Sequence, residues 1–198
     1  MNILWKPVKN FTKGRDGIQP EGICIHVGEG SMKTIYQTFQ YEEKSSHYNI
    51  GPDEIWQHVA EENQAWTQGI VIKPTSKLVI ERSGQNPNKF LISLENSGFG
   101  HLDIPESQYQ LNAELVKNIC KRYAWEINRY RIIGHREIRN DKTCPGKIDI
   151  DKIIALATKP DSIILPATVT SEYNKLQTRV SILQRLIALI QKLNFLKK

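Results

Sequence analysis

Gly22-Ile23-Cys24-Ile25-His26 is a short apolar run, rich in β-branched residues, that gives way to a glycine-containing loop. A run of that kind reads as a buried strand. Beyond it, Ser31 is placed to cap a helix through about Lys44, with Ile35 and Phe39 on one face. His47–Ile50 and Glu54–Val59 flank Gly51-Pro52-Asp53, which predicts two strands joined by a turn. Phe90–Glu95 (FLISLE) predicts a further strand. From Ser107 to Trp125, Leu111, Leu115, Ile119 and Tyr123 recur at helical spacing and predict the longest helix of the core. Arg131–Gly134 reads as a strand entering a loop, and Asp149–Ala157 as a short helix. Strands alternating with helices predict an α/β fold with a mixed central β-sheet flanked by helices.

Bulk composition agrees with a globular chain. The 198 residues are 39% hydrophobic and 24% charged, which suits one ordinary domain with some 30 to 40 residues to spare. No run of about 18 apolar residues occurs, so a membrane-spanning helix is not expected. Met1–Asp16 carries Lys6, Lys9, Lys13 and Arg15 without a continuous apolar stretch, unlike a secretory signal peptide. The expectation is a protein that is cytoplasmic at synthesis. Three cysteines are too few and too odd in number for a disulfide framework. Cys24 and Cys120 sit in apolar patterns and read as small buried hydrophobes, whereas Cys144 lies in a polar loop before Pro145-Gly146.

The formal charge of +6 is uneven. From Lys159 onward seven basic residues face two acidic ones, a net +5, which leaves about +1 for the first 158 residues. Residues 159–170, with Pro160 and Pro166, read as a linker, and 171–198 as a basic amphipathic helix. Leu176, Val180, Leu183, Ile187 and Ile190 follow a 4-3-4-3 spacing, while Ile182, Leu186, Leu189 and Leu193 widen the apolar arc. Such a helix is expected to meet an anionic cell-wall polymer, a membrane surface, or its own copies as a homo-oligomer. With only Tyr173 and Phe195 as aromatics it has nothing to stack on bases, so no nucleic-acid partner is expected.

His26, His135 and Cys144 are candidate metal ligands. Each histidine closes a predicted strand, and Cys144 follows His135 by nine positions. Two imidazoles and one thiolate suit one zinc ion, leaving a fourth position for water. Spacing alone also fits two hydrogen-bonded structural histidines and a buried cysteine.

The surrounding residues carry a resemblance. The ICIH strand, Ser45-Ser46-His47-Tyr48-Asn49-Ile50, Ala65-Trp66 followed by Gly69, and Asn86-Pro87-Asn88 with Ile92-Ser93-Leu94-Glu95 are four landmarks. Ile133-Gly134-His135 and Lys142-Thr143-Cys144-Pro145-Gly146 complete the order. From about Gly22 to Asp151 the chain resembles the zinc-dependent N-acetylmuramoyl-L-alanine amidases, a family that also holds the peptidoglycan recognition proteins. The resemblance implies a catalytic domain over residues 1–158 that hydrolyses the bond between N-acetylmuramic acid and L-alanine in peptidoglycan. It implies Zn2+ held by His26, His135 and Cys144, Glu95 as general base, and Lys142 steadying the oxyanion. Read without it, Lys142 is a solvated loop lysine and Glu95 a strand-end carboxylate. Some relatives place a catalytic tyrosine where this chain has Ser46, and many have histidine where it has Thr67. His47 reads equally as a groove residue and as a structural hydrogen-bonder, and Trp66 as groove wall or as core. The biological expectation is an endolysin acting on the cell wall after release. A murein-recycling enzyme and a non-catalytic peptidoglycan-binding module are the alternatives.

Overall fold

The computed structural model describes residues 2–160, 175–185 and 187. Contacts divide the chain into two compact units, Met1–Lys159 and Pro160–Lys198. In the first, strands β1 (Ile3–Trp5), β3 (Gly22–Val27), β4 (Tyr48–Ile50), β5 (Ile55–Gln57), β7 (Leu91–Asn96) and β8 (Ile132–Gly134) form one sheet, in the order β1-β5-β4-β7-β3-β8. Only the β4–β5 hairpin pair is antiparallel; the other neighbours run parallel. A separate two-stranded ribbon joins β2 (Phe11–Thr12) to β6 (Gln64–Ala65). The mixed sheet flanked by helices is the architecture that the sequence pattern predicts.

β3 and β7 are the central pair, and all six residues of each are buried. Parallel strands covered on both faces need buried side chains on both; GICIHV supplies mostly apolar ones, while LISLEN alternates Ile92 and Leu94 with the buried polar residues Ser93 and Glu95. One face, carrying Ile23, Ile25, Ile92 and Leu94, packs on α3 (Glu106–Arg122) and α4 (Ile150–Ala157) through Leu115, Val116, Ile119 and Ile153. The other face packs Cys24, Leu91 and Ile133 on Leu78 and Val79 of α2 (Lys77–Glu81). Each of these side chains contributes about 1.5–3 kcal/mol on leaving water. α1 (Met32–Tyr41), capped by the Ser31 side chain on Thr34 N–H, buries Ile35 and Phe39 against Val8, Val59 and Ala65.

Helix ends depart from the periodicity for local reasons. α1 stops at Tyr41 because Glu42 is extended. α3 stops at Arg122 because Ala124 turns into the left-handed region and Trp125 N–H folds back onto the Cys120 carbonyl. α3 also reaches into the sheet with polar groups. Gln108 donates to the Ile50 and Ser97 carbonyls, Asn112 donates to Asn96 Oδ1, and Asn96 donates to the His26 carbonyl. These buried amides are fully partnered, and they fix the carboxyl-terminal ends of β3, β4 and β7 relative to one another.

In the second unit, residues 175–185 are helical, with Leu176, Val180, Ile182 and Leu183 exposed. The 159–170 linker falls largely outside the described residues, as do positions 171–174, 186 and 188–198 of the predicted helix. No helix among the described residues is long and apolar enough to cross a membrane.

Candidate metal centre

Parallel register does the assembly. His26 on β3 pairs with Glu95 on β7, and Ile25 pairs with Gly134 on β8, so His135 follows beside His26. Three residues far apart in sequence thus meet at the carboxyl ends of three adjacent strands, where open α/β sheets place their ligands. The loop after His135 must then return Cys144. Arg136 N–H donates to the Cys144 carbonyl, and Pro145 packs on Gly134, where a Cβ would come within 2.7 Å of the proline ring. Gly146 has a φ of +66, and a side chain there would meet the Gly100 backbone. The Pro-Gly after the cysteine is therefore a steric requirement for closing this loop.

The donor atoms of His26, His135 and Cys144 all lie within 4.8 Å of one another. The two imidazole centroids are 4.6 Å apart, His26 Nδ1 is 3.8 Å from Cys144 Sγ, and Val27 N–H donates to that sulfur at 3.3 Å. His26 is 2% exposed. Burial, and secondarily the neighbouring His135, hold its pKa well below the ordinary value, and burial lowers that of His135 too. Both rings are thus neutral, as metal ligands must be. Burial raises the Cys144 thiol to about 12, with Glu95 adding to it; a bound cation would displace the thiol proton. Two neutral imidazoles at strand ends and one thiol returned by the loop after His135 fit a zinc ion; a hard cation would want oxygens.

Glu95 is buried at 8% exposure, and burial raises its pKa from 4.5 to about 8, against a smaller opposing pull from Lys44. A cavity of about 420 Å3 lies over the cluster. It is lined by all three donors, Glu95, the exposed Lys142, Trp66 and Thr67, with Ile35 and Phe39 forming an apolar wall. A larger and more open depression of about 800 Å3 beside the 135–150 loop includes Lys142 but none of the three donors. Size does not locate the chemistry here; converging donors do.

Trp66 is 37% exposed at the cavity edge, and its indole N–H donates to Thr12 Oγ1. His47 lies elsewhere. It is 1% exposed, does not line the cavity, and its Nε2 lies 2.8 Å from the Arg15 guanidinium and 3.1 Å from the Asn63 carbonyl, while its Nδ1 accepts from Ser93 N–H. Its Nδ1 stands 2.9 Å from Ser93 Oγ. Burial, reinforced by Arg15, pushes its pKa down to about 3. Of the two readings open from sequence, the structural hydrogen-bonder is the one that describes this environment. Cys24 and Cys120 are buried hydrophobes, as their apolar neighbours imply.

Two residues escape the sequence reading. Arg15 is 4% exposed, and its guanidinium donates to the carbonyls of Glu61, Asn88, Lys89 and Leu91 and lies against His47. Gln68 is 1% exposed and touches both histidines of the cluster. A polar residue in a loop gives no local sign of such partners.

Comparison with known proteins identifies the family and the fold. The sequence profile of the N-acetylmuramoyl-L-alanine amidase family matches residues 16–147. No curated protein matches by sequence. Among solved structures, a selenomethionine derivative of AmpD is similar at 22% identity and a TM-score of 0.63, covering 79% of this chain and 94% of its own. A mutant endolysin from Bacillus subtilis is similar at 16% identity and a TM-score of 0.56, over 79% of this chain and 99% of the endolysin. The N-acetylmuramoyl-L-alanine amidase LysC from Clostridium intestinale URNW follows at 14% identity and a TM-score of 0.57, over 78% and 96%. At such identities the structures speak for the fold.

Proposed function

Because the chain belongs to the N-acetylmuramoyl-L-alanine amidase family, which acts on peptidoglycan, we propose that it works as a one-zinc enzyme with His26, His135 and Cys144 as the ligands. The observation that carries this reading is the convergence of those three donors within 4.8 Å, beside a buried carboxyl. Zinc bound there supplies a Lewis acid that polarises the amide carbonyl, lowers the pKa of water, and favours the ionised form of Glu95.

The chain's own residues do the rest. Glu95 takes a proton from the attacking water as its oxygen bonds to the lactyl carbonyl carbon of N-acetylmuramic acid. Lys142, an exposed residue lining the same cavity, is the cation available to steady negative charge as it grows on the carbonyl oxygen. As the C–N bond breaks, Glu95 returns that proton to the L-alanine nitrogen, and the water's second proton passes from the new lactyl carboxyl group to the amine, leaving a carboxylate and an ammonium. Trp66 and the Ile35–Phe39 wall give the sugar and peptide an apolar flank.

The basic C-terminal helix, with its exposed Leu176, Val180 and Leu183, is read as an attachment to an anionic cell-wall polymer or membrane surface. A helix of that kind joined to a wall-cutting domain suits an endolysin reaching the wall after release. Removing residues beyond 158 is expected to leave hydrolysis of soluble muropeptides intact while weakening sedimentation with intact walls. An unchanged sedimentation would count against the attachment role, and a change in oligomeric state would favour self-association.

The test of the activity is peptide release from purified peptidoglycan, with chelator and then zinc add-back. Loss and recovery, with L-alanine as the new N-terminus, is the expected result. Hydrolysis that persists in a metal-free His135→Ala protein would sink the zinc reading.

A further inference from the structure

Gln68 sits in the loop after β6, 1% exposed, and meets both histidines of the cluster with different oxygens. Its side-chain Oε1 is 3.1 Å from His26 Nε2, and its main-chain carbonyl is 3.1 Å from His135 Nε2. A carbonyl oxygen only accepts. The main-chain carbonyl therefore puts the His135 proton on Nε2, and the Gln68 amide oxygen, turned toward His26, does the same there; in a neutral imidazole that leaves Nδ1 as the bare lone pair. His26 Nδ1 is the atom near Cys144 Sγ.

The loop that presents Gln68 is itself tied down. The amide N–H groups of Thr67 and Gln68 both donate to Asn88 Oδ1, at 3.2 and 3.0 Å, and Trp66 N–H donates to Ser45 Oγ. Thr67 Oγ1 donates to the Ser45 carbonyl at 2.5 Å. Gly69 then leaves with a φ of +63, where a Cβ would press on the Arg139 guanidinium. Ser45, Asn88 and Gly69 therefore hold one glutamine at one height over two strand ends.

We propose that Gln68 is the positioning residue of the metal centre, setting the Nε2–H form of both histidines at once. Its side chain presents His26 Nδ1, and its carbonyl presents His135 Nδ1, to the ion. The inference rests on the zinc reading above and deepens it. A ligand imidazole whose far N–H is held by an acceptor is oriented and made more basic, and loss of such an acceptor weakens metal binding by about 10- to 100-fold.

The side-chain half can be removed alone. Gln68→Met keeps the length and the backbone carbonyl but deletes the acceptor to His26, whereas Gln68→Glu keeps an acceptor there. Zinc affinity of the full chain is measured by competition with a chromogenic chelator, together with the visible spectrum of the cobalt-substituted protein. The expectation is about 10- to 100-fold weaker zinc binding and an altered cobalt spectrum for Gln68→Met, with Gln68→Glu close to wild type. Equal affinity in Gln68→Met and wild type would overturn the inference while leaving the zinc reading standing. Equal weakening in both variants would overturn it as well, since the acceptor would not be the cause. A wild-type chain that takes up neither zinc nor cobalt would bring down the zinc reading, and the inference with it.

Discussion

His26 and His47 are both almost wholly buried and both held neutral by burial, yet they sit in opposite kinds of site. His47 faces the Arg15 guanidinium on one side and Ser93 on the other, so both its nitrogens are committed to the protein. His26 commits Nε2 to Gln68 and turns Nδ1 toward a thiol, a second imidazole and a cavity. Burial and a depressed pKa are common to the two and distinguish nothing. A lone pair left uncommitted among converging donors is what marks a ligand.

The largest expected effect falls on the open side of that contrast. Replacing His135 with alanine, or stripping metal with a chelator, should lower peptide release by at least about 10^3-fold, since polarisation by a metal is worth several kcal/mol. Replacing His47 with glutamine should leave the rate per folded molecule nearly unchanged. Equal losses in both variants would erase the distinction. Next comes Glu95→Gln, expected to slow release by about 10^2- to 10^4-fold while zinc content measured by atomic absorption stays at wild type. A zinc-free Glu95→Gln protein would make Glu95 part of the binding site rather than the base. Lys142→Ala should cost roughly a hundredfold in kcat with little change in KM, as removing one oxyanion partner does. A rise in KM alone would assign it to substrate binding.

The smallest effect sharpens the closed side. Because the folded-state pKa of His47 lies near 3, below its unfolded value of 6.5, the neutral form stabilises the fold above pH 6.5. That contribution is lost as pH falls from 6.5 toward 3, where the unfolded chain binds the proton first. His47→Gln should cost about 1–3 kcal/mol at pH 7 through unpaired neighbours. The stability gap to wild type, read by urea titration, should narrow toward pH 4. A gap constant with pH would mean that His47 is not held neutral.

What was legible in the chain divides along similar lines. β3 announces itself as a short apolar run, β7 as an apolar stretch interrupted by Ser93 before Glu95, and α3 because its face repeats over 17 residues. β1, β2 and β6, of three, two and two residues, are too short to show a period, and the five residues of α2 offer barely one turn. Among candidate site residues, Glu95 follows from FLISLE once register sets it beside His26. The three donors stand out by residue type and position, with a structural reading left open until the family resemblance is added; the roles of Glu95 and Lys142 come from that resemblance alone. Gln68 and Arg15 stayed hidden because their partners lie 42 and up to 76 positions away. A buried polar side chain looks like a surface one until the fold brings its partners to it.

Arg15 bears on where this enzyme can be cut. The family match begins at residue 16, one position after a guanidinium that satisfies four main-chain carbonyls and lies against His47. A hybrid amidase assembled at that homology border would carry the whole candidate site yet leave those carbonyls facing one another without a donor. The transplantable part of this amidase therefore starts upstream of its recognisable part, and a splice that respects Arg15 is the one expected to yield a foldable module.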